Sequence, residues 1–216
     1  MHKNYSFRSH NGKVAIHTSN TELKDLFIAW LFISFAFAIA RTVDKGIRLN
    51  TFFSIEFIIF TIISAMSVGI AFLFHELAHK VVAQRYNCWA EFRADLNMLI
   101  MGLLISFMGV VFIAPGAVMI FGNINQKQNG KISMAGPLTN IMLAVILLPL
   151  IFIPFSNWVI KEIIASGYLI NAWLALFNMI PLWNFDGAKI YAWNRKVFFT
   201  LILIEASLIF LFFMYR

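Results

Sequence analysis

Apolar residues gather into six long runs separated by short polar stretches, at about residues 24–41, 52–83, 96–113, 133–155, 163–182 and 197–215. Most approach the roughly 20 residues that an α-helix needs to cross a hydrocarbon core of ~30 Å. The second is longer. From Thr51 to Tyr86 a helix rising ~1.5 Å per residue would extend about 54 Å, so it must tilt, protrude or break near Gly69. Upstream, Asn11-Gly12 lies between alternating residues from Tyr5 to His17 in the pattern of a type I′ hairpin. Ser19 and Glu22 have the spacing of a capping box for the first helix. The expected fold is an all-α polytopic membrane protein of about six apolar segments, with a small β element at the N-terminus. Residues 1–20 form a cytoplasmic hairpin-like region and 21–216 a single transmembrane domain. The first run ends in Ala38-Ile39-Ala40, which resembles a signal-peptidase site. The polar region before it is too long for a signal n-region, so the helix is expected to be retained.

Composition supports the membrane assignment. Of 216 residues, 61% are hydrophobic and 12% charged, with a mean hydropathy of +0.80, whereas soluble domains carry about 25% charged residues. The net charge of +7 fits cytoplasmic loops facing anionic lipid, and no nucleic-acid partner is expected. The single cysteine, Cys88, excludes an intramolecular disulfide framework. Ten methionines without a clustered pattern read as packing, and Trp30, Trp158 and Trp193 as interfacial belt residues.

Within the second run stands Phe74-His75-Glu76-Leu77-Ala78-His79-Lys80, which contains the HExxH pattern. Four residues are about 400° of helical rotation and ~6 Å of rise, so His75 and His79 leave one face and can hold one ion. Glu76 is rotated off that line, where a general base beside a zinc-activated water belongs. Histidine pairs can also simply bond their neighbours. Ionisable groups at membrane depth, however, are expensive and functional by default.

If this helix ends in the cytoplasm, twelve of the seventeen Lys and Arg residues lie on inner segments, and only Arg41, Lys45, Arg48, Lys161 and Arg216 lie outside. The metal would then sit below the cytoplasmic surface, roughly 15 Å of helix before Arg85, and the cell membrane is the expected location. Two imidazoles and a water leave zinc one protein ligand short. At suitable depth the candidates are Asp186 and Glu205. Asp186 follows Pro181, which should disturb the fifth run, and precedes Gly187, which lets the backbone turn closely. Glu205 lies mid-way along the last run.

Taken with Gly136-Pro137-Leu138-Thr139-Asn140, Asn178, Pro181, Asp186 and Gly187, the HExxH segment resembles the site-2 protease (M50) family of intramembrane zinc metalloproteases over about residues 50–195. The resemblance implies Zn2+ held by His75, His79 and Asp186, water activation by Glu76, and a substrate or transition-state contact by Asn140. Asn184-Phe185 departs from the residues that often precede Asp-Gly there. For Asp186 to reach the zinc, an even number of membrane crossings must lie between Arg85 and Ser133. Leu96–Ile113 could cross outward and 114–122 return as extended chain, or both could be re-entrant; the family implies a membrane-associated strand near 114–122. Its edge could receive an extended substrate. The expected partners are the lipid bilayer and a protein substrate with a transmembrane segment, cleaved in or near that segment. Two alternatives remain: a membrane HExxH protease using Glu205 as third ligand, and a non-catalytic zinc-binding protein or transporter. The chain alone does not define oligomeric state.

Overall fold

The computed structural model describes residues 16–43, 52–112, 115–182 and 184–215. The hairpin expected over Tyr5–His17 falls almost wholly outside them. His17, Thr18 and Ser19 have no regular secondary structure. Along the chain come α1 (Asn20–Val43), α2 (Ile55–Ser64), a π-helical turn (Ala65–Gly69), α3 (Ile70–Arg85), β1 (Trp89–Ala94), α4 (Leu96–Ser106), β2 (Gly116–Phe121), α5 (Gln126–Ile151), α6 (Trp158–Asn178), α7 (Asp186–Trp193) and α8 (Arg195–Tyr215).

Among the described residues, five helices are long and apolar enough to cross a membrane: α1, the continuous α2–α3 rod, α5, α6 and α8. They make this a multi-pass membrane protein; of the six apolar runs, five supply such a helix among the described residues. The third apolar run supplies only the 11-residue α4, because its tail leaves the helix from Phe107 onward. The long second run does not break at Gly69. It passes through the π turn, which widens the helix by one residue. Trp30 Nε1 donates to the carbonyl of Ala65 at that turn (3.1 Å), so Trp30 is an internal strut and not a belt residue.

The sheet has two antiparallel strands, with Trp89 opposite Phe121 and Ala94 opposite Gly116. β1 starts beside the end of α3 and runs back along it: Phe92 meets Phe72 edge-on at 5.6 Å and joins Leu26, Ala29 and Ile33 of α1. α4 continues the same way. Leu103 packs with Ala38, Ile39 and Phe57, and the Phe107 ring reaches Phe52, before the start of α2. The chain then returns to pair as β2. This out-and-back excursion returns the chain to the Arg85 end of α3, with Phe121 opposite Trp89, as the reach of Asp186 to the histidines requires. β1 and α4 share the leg that leads away from Arg85, the strand lying between the second and third apolar runs.

A second core joins α5, α6 and α8 around Tyr168, Ala172, Ala175, Ile141 and Phe212. There the Tyr168 hydroxyl donates to the carbonyl of Leu208 (2.6 Å), satisfying a polar group that burial would otherwise penalise. α5 packs against α3, α6 and α7 and so becomes the wall on which the histidine helix and Asp186 meet.

Candidate metal centre

α3 presents His75 and His79 one turn apart, both buried, toward α5. Their Nε2 atoms lie 3.0 Å apart. Asp186, at the first residue of α7, brings its Oδ2 to 3.4 Å from His75 Nε2 and 3.0 Å from His79 Nε2. A loop this tight depends on Gly187: a Cβ there would lie 2.7 Å from Met179 Cα and closer still to the Met179 carbonyl.

The other ring nitrogens are committed. His79 Nδ1 lies 2.8 Å from the carbonyl of Ile132, and His75 Nδ1 lies 2.5 Å from Asn140 Oδ1. The Asn140 amide orientation follows from its own network: Nδ2 donates to the carbonyl of Ala71 (3.2 Å) and to Asn171 Oδ1 (2.8 Å). Asn171 in turn donates to the carbonyl of Gly167 (2.7 Å). With acceptors at both Nδ1 atoms, each neutral ring carries its proton on Nδ1 and turns the Nε2 lone pair inward. Two such lone pairs and a carboxylate oxygen converge within 4.8 Å, and they repel one another unless a cation stands among them. Two imidazoles and one carboxylate suit Zn2+ and leave a fourth position open.

The approach of α5 to the two rings depends on Gly136, where a Cβ would lie 2.6 Å from His75 Nε2 and nearer still to His79 Nε2. Glu76 is half-buried and within electrostatic reach of His75, His79 and Asp186. It has no hydrogen bond or ion pair among the described residues.

The structure therefore brings His75, His79, Asp186 and Glu76 to one place, with Asn140 behind His75. Both amide hydrogens of Asn140 are engaged, so its position differs from that of a donor aimed at substrate. Glu205, the alternative third ligand, lies in α8 outside this group. It is fully buried, and neither carboxylate oxygen has a hydrogen bond among the described residues. Asn178 folds back onto its own helix, donating to the carbonyl of Leu174 (2.9 Å). Sequence reasoning missed Asn171 and the steric role of Gly136. A polar residue inside an apolar helix was the available signal for Asn171.

No protein-family model and no solved structure matches the chain. A protein of Methanocaldococcus jannaschii, named "Putative zinc metalloprotease MJ0611", is 43% identical over 180 residues, spanning 82% of this chain and 86% of that protein. Identity of that extent, over a chain whose fold assembles a zinc-type donor set, means that this chain belongs to the family of that archaeal zinc metalloprotease.

Proposed function

We propose that this protein is an intramembrane zinc endopeptidase of the site-2 protease type, hydrolysing a peptide bond in or near a transmembrane segment of another membrane protein. The observation that carries this reading is the meeting of His75 and His79, from an apolar membrane-length helix, with Asp186 from a distant turn. His75, His79 and Asp186 hold the metal. Zinc, when bound, supplies Lewis acidity, lowering the pKa of a water and polarising a scissile carbonyl. Glu76 takes the water's proton and delivers it to the leaving amine; with no hydrogen bond or ion pair among the described residues, its carboxylate is available. Asn140 fixes the His75 tautomer through Nδ1, as outer groups behind metal-bound histidines do. This assignment replaces substrate contact with positioning.

A helical substrate hides its carbonyls, so it must unwind before attack. The sheet offers extended chain a place to pair. Asp95 N–H donates to the Pro115 carbonyl (3.1 Å), which sets the alternation of the antiparallel ladder: Trp89, Glu91 and Arg93 bond to β2, whereas Ala90, Phe92 and Ala94 face away. That far edge of β1 is closed. The Ala90 carbonyl accepts from Gln84, Phe92 N–H donates to Glu22, and Ala94 N–H donates to Asp25. By the same alternation Gly116, Val118 and Ile120 point their amides and carbonyls out from β2, with no partner among the described residues. The substrate strand adds there. The excess of Lys and Arg near the Arg85 end of the rod supports a cytoplasm-facing site in the cell membrane.

Co-expression with candidate single-span proteins, comparing wild type and Glu76→Gln by mass spectrometry of membrane fragments, tests the reading. It predicts fragments cut in or near the span with wild type only. Identical fragments from both would refute it.

A further inference from the structure

Beside the metal helix lies a polar device that the hydrolytic chemistry does not use. Lys80, the residue after His79, is almost completely buried, and its Nζ lies 2.5 Å from Glu22 Oε2 and 2.7 Å from Thr18 Oγ1. The Glu22 side chain is itself inaccessible, and its other oxygen, Oε1, accepts the Phe92 N–H of β1 (3.0 Å). One carboxylate thus joins the zinc-binding helix to the strand beside it. One turn further along α3, Gln84 repeats the pattern: Oε1 accepts from His17 N–H (3.1 Å), and Nε2 donates to the carbonyls of His17 (2.9 Å) and Ala90 (3.0 Å). Ser19 extends the connection by donating to Glu91 (3.0 Å). Residues 17–22 are therefore bonded on one side to α3 and on the other to β1.

Stability alone gives a weak reason for burying this pair. Desolvating an ammonium and a carboxylate costs as much as their attraction returns, and apolar replacements of both are often neutral or stabilising. The bridge does fix a distance. His75 and His79 face α5 from α3, while from the same helix Lys80 reaches β1 through Glu22 and Gln84, four residues on, reaches it directly at Ala90. Since β1 is hydrogen-bonded to β2, holding β1 against α3 also holds the open edge of β2 at a set height relative to the metal ligands.

We propose that Glu22 and Lys80 are positioning residues, a splint between the metal helix and the sheet that determines which peptide bond of a strand-bound substrate reaches the metal. This rests on the protease reading above. A misplacement of about 1 Å is enough to lower turnover roughly a hundredfold, and a slip along the strand would move the cut.

The test uses full-length zinc-loaded protein in lipid vesicles, comparing wild type with Glu22→Leu/Lys80→Met. The double variant removes both charges, so no lone buried ion remains to unfold the protein; Lys80→Arg, which keeps the charge but lengthens the reach, serves as a second variant. A panel of synthetic single-span peptides is cleaved, and the product termini are read by mass spectrometry. Bound zinc should be unchanged, while the cut bonds shift or kcat falls at least tenfold. On the same samples, amide hydrogen exchange should accelerate about tenfold or more at Phe92 in the double variant without accelerating at α3. Unchanged exchange at Phe92, or wild-type cut sites with wild-type kcat in both folded variants, would overturn the proposal. If wild type cuts none of the peptides, the protease reading fails, and the exchange result still decides whether the splint exists.

Discussion

Asn140 Oδ1 lies 2.5 Å from His75 Nδ1 and so turns the other ring nitrogen toward His79 and Asp186. Because the two hydrogens of the Asn140 amide are bonded to Ala71 and Asn171, the amide cannot rotate to offer His75 a donor without breaking two bonds. The tautomer is written into helix packing among α3, α5 and α6. Asn140→Leu should therefore weaken zinc binding by roughly 10–100-fold, measured by chelator competition, and activity should recover as zinc is raised. An unchanged zinc affinity would remove Asn140 from this role.

Gly136 makes a steric prediction. A methyl group at this position would meet both imidazoles, and neither the wall of α5 nor the ligand helix can withdraw cheaply from a packed interior. Gly136→Ala should lose most bound zinc. Gly167→Ala is the control, since its Cβ would be 3.1 Å from a flexible Leu147 methyl. Zinc per chain by atomic absorption separates the two.

Glu205 and Asp186 exchange places in the competing account of the third ligand. Asp186→Asn should lower both zinc content and cleavage, because a neutral amide is a poor ligand. Glu205→Gln should leave zinc stoichiometry at wild-type value, since its carboxylate stands outside the histidine group. Loss of zinc from the Glu205 variant would revive the alternative architecture.

The open edge of β2 can be probed with proline. At Val118 the lost N–H points away from β1, so Val118→Pro should keep the two-stranded ladder and bound zinc but raise KM for peptide substrates about tenfold or more. At Met119 the same substitution removes a ladder bond and should disturb the sheet itself. Hydrogen exchange over β1 distinguishes these outcomes.

The features legible in the sequence were those with short-range periodicity. The i, i+4 histidines needed only helical geometry, and the doubling back of the chain between Arg85 and Ser133 followed from requiring Asp186 to reach them. β1 escaped although Ala90-Glu91-Phe92-Arg93-Ala94 alternates apolar and polar residues, because it is a short signal between two long apolar runs; in the fold the polar face is also covered, with Glu91 buried against Ser19 and Arg93. The Ser19–Glu22 capping box was half realised. Ser19 Oγ accepts the Glu22 N–H (3.1 Å), but the Glu22 carboxylate goes to Lys80 and Phe92. Lys80, counted among the inner positive charges, is instead neutralised internally. These departures share one cause: partners separated by 58 to 72 residues leave no local pattern. The Asn140–Asn171 link and the Gly136 contact escaped for the same reason.

X-ray absorption at the zinc edge of the purified full-length protein tests the shared metal site most directly. The prediction is one zinc per chain with only nitrogen and oxygen neighbours at about 2.0–2.2 Å, a two-imidazole signature, and loss of the metal in His75→Ala, His79→Ala and Asp186→Ala. A sulfur neighbour near 2.3 Å, which among thiols only Cys88, the single cysteine, could provide, or full zinc retention in the Asp186 variant, would contradict it.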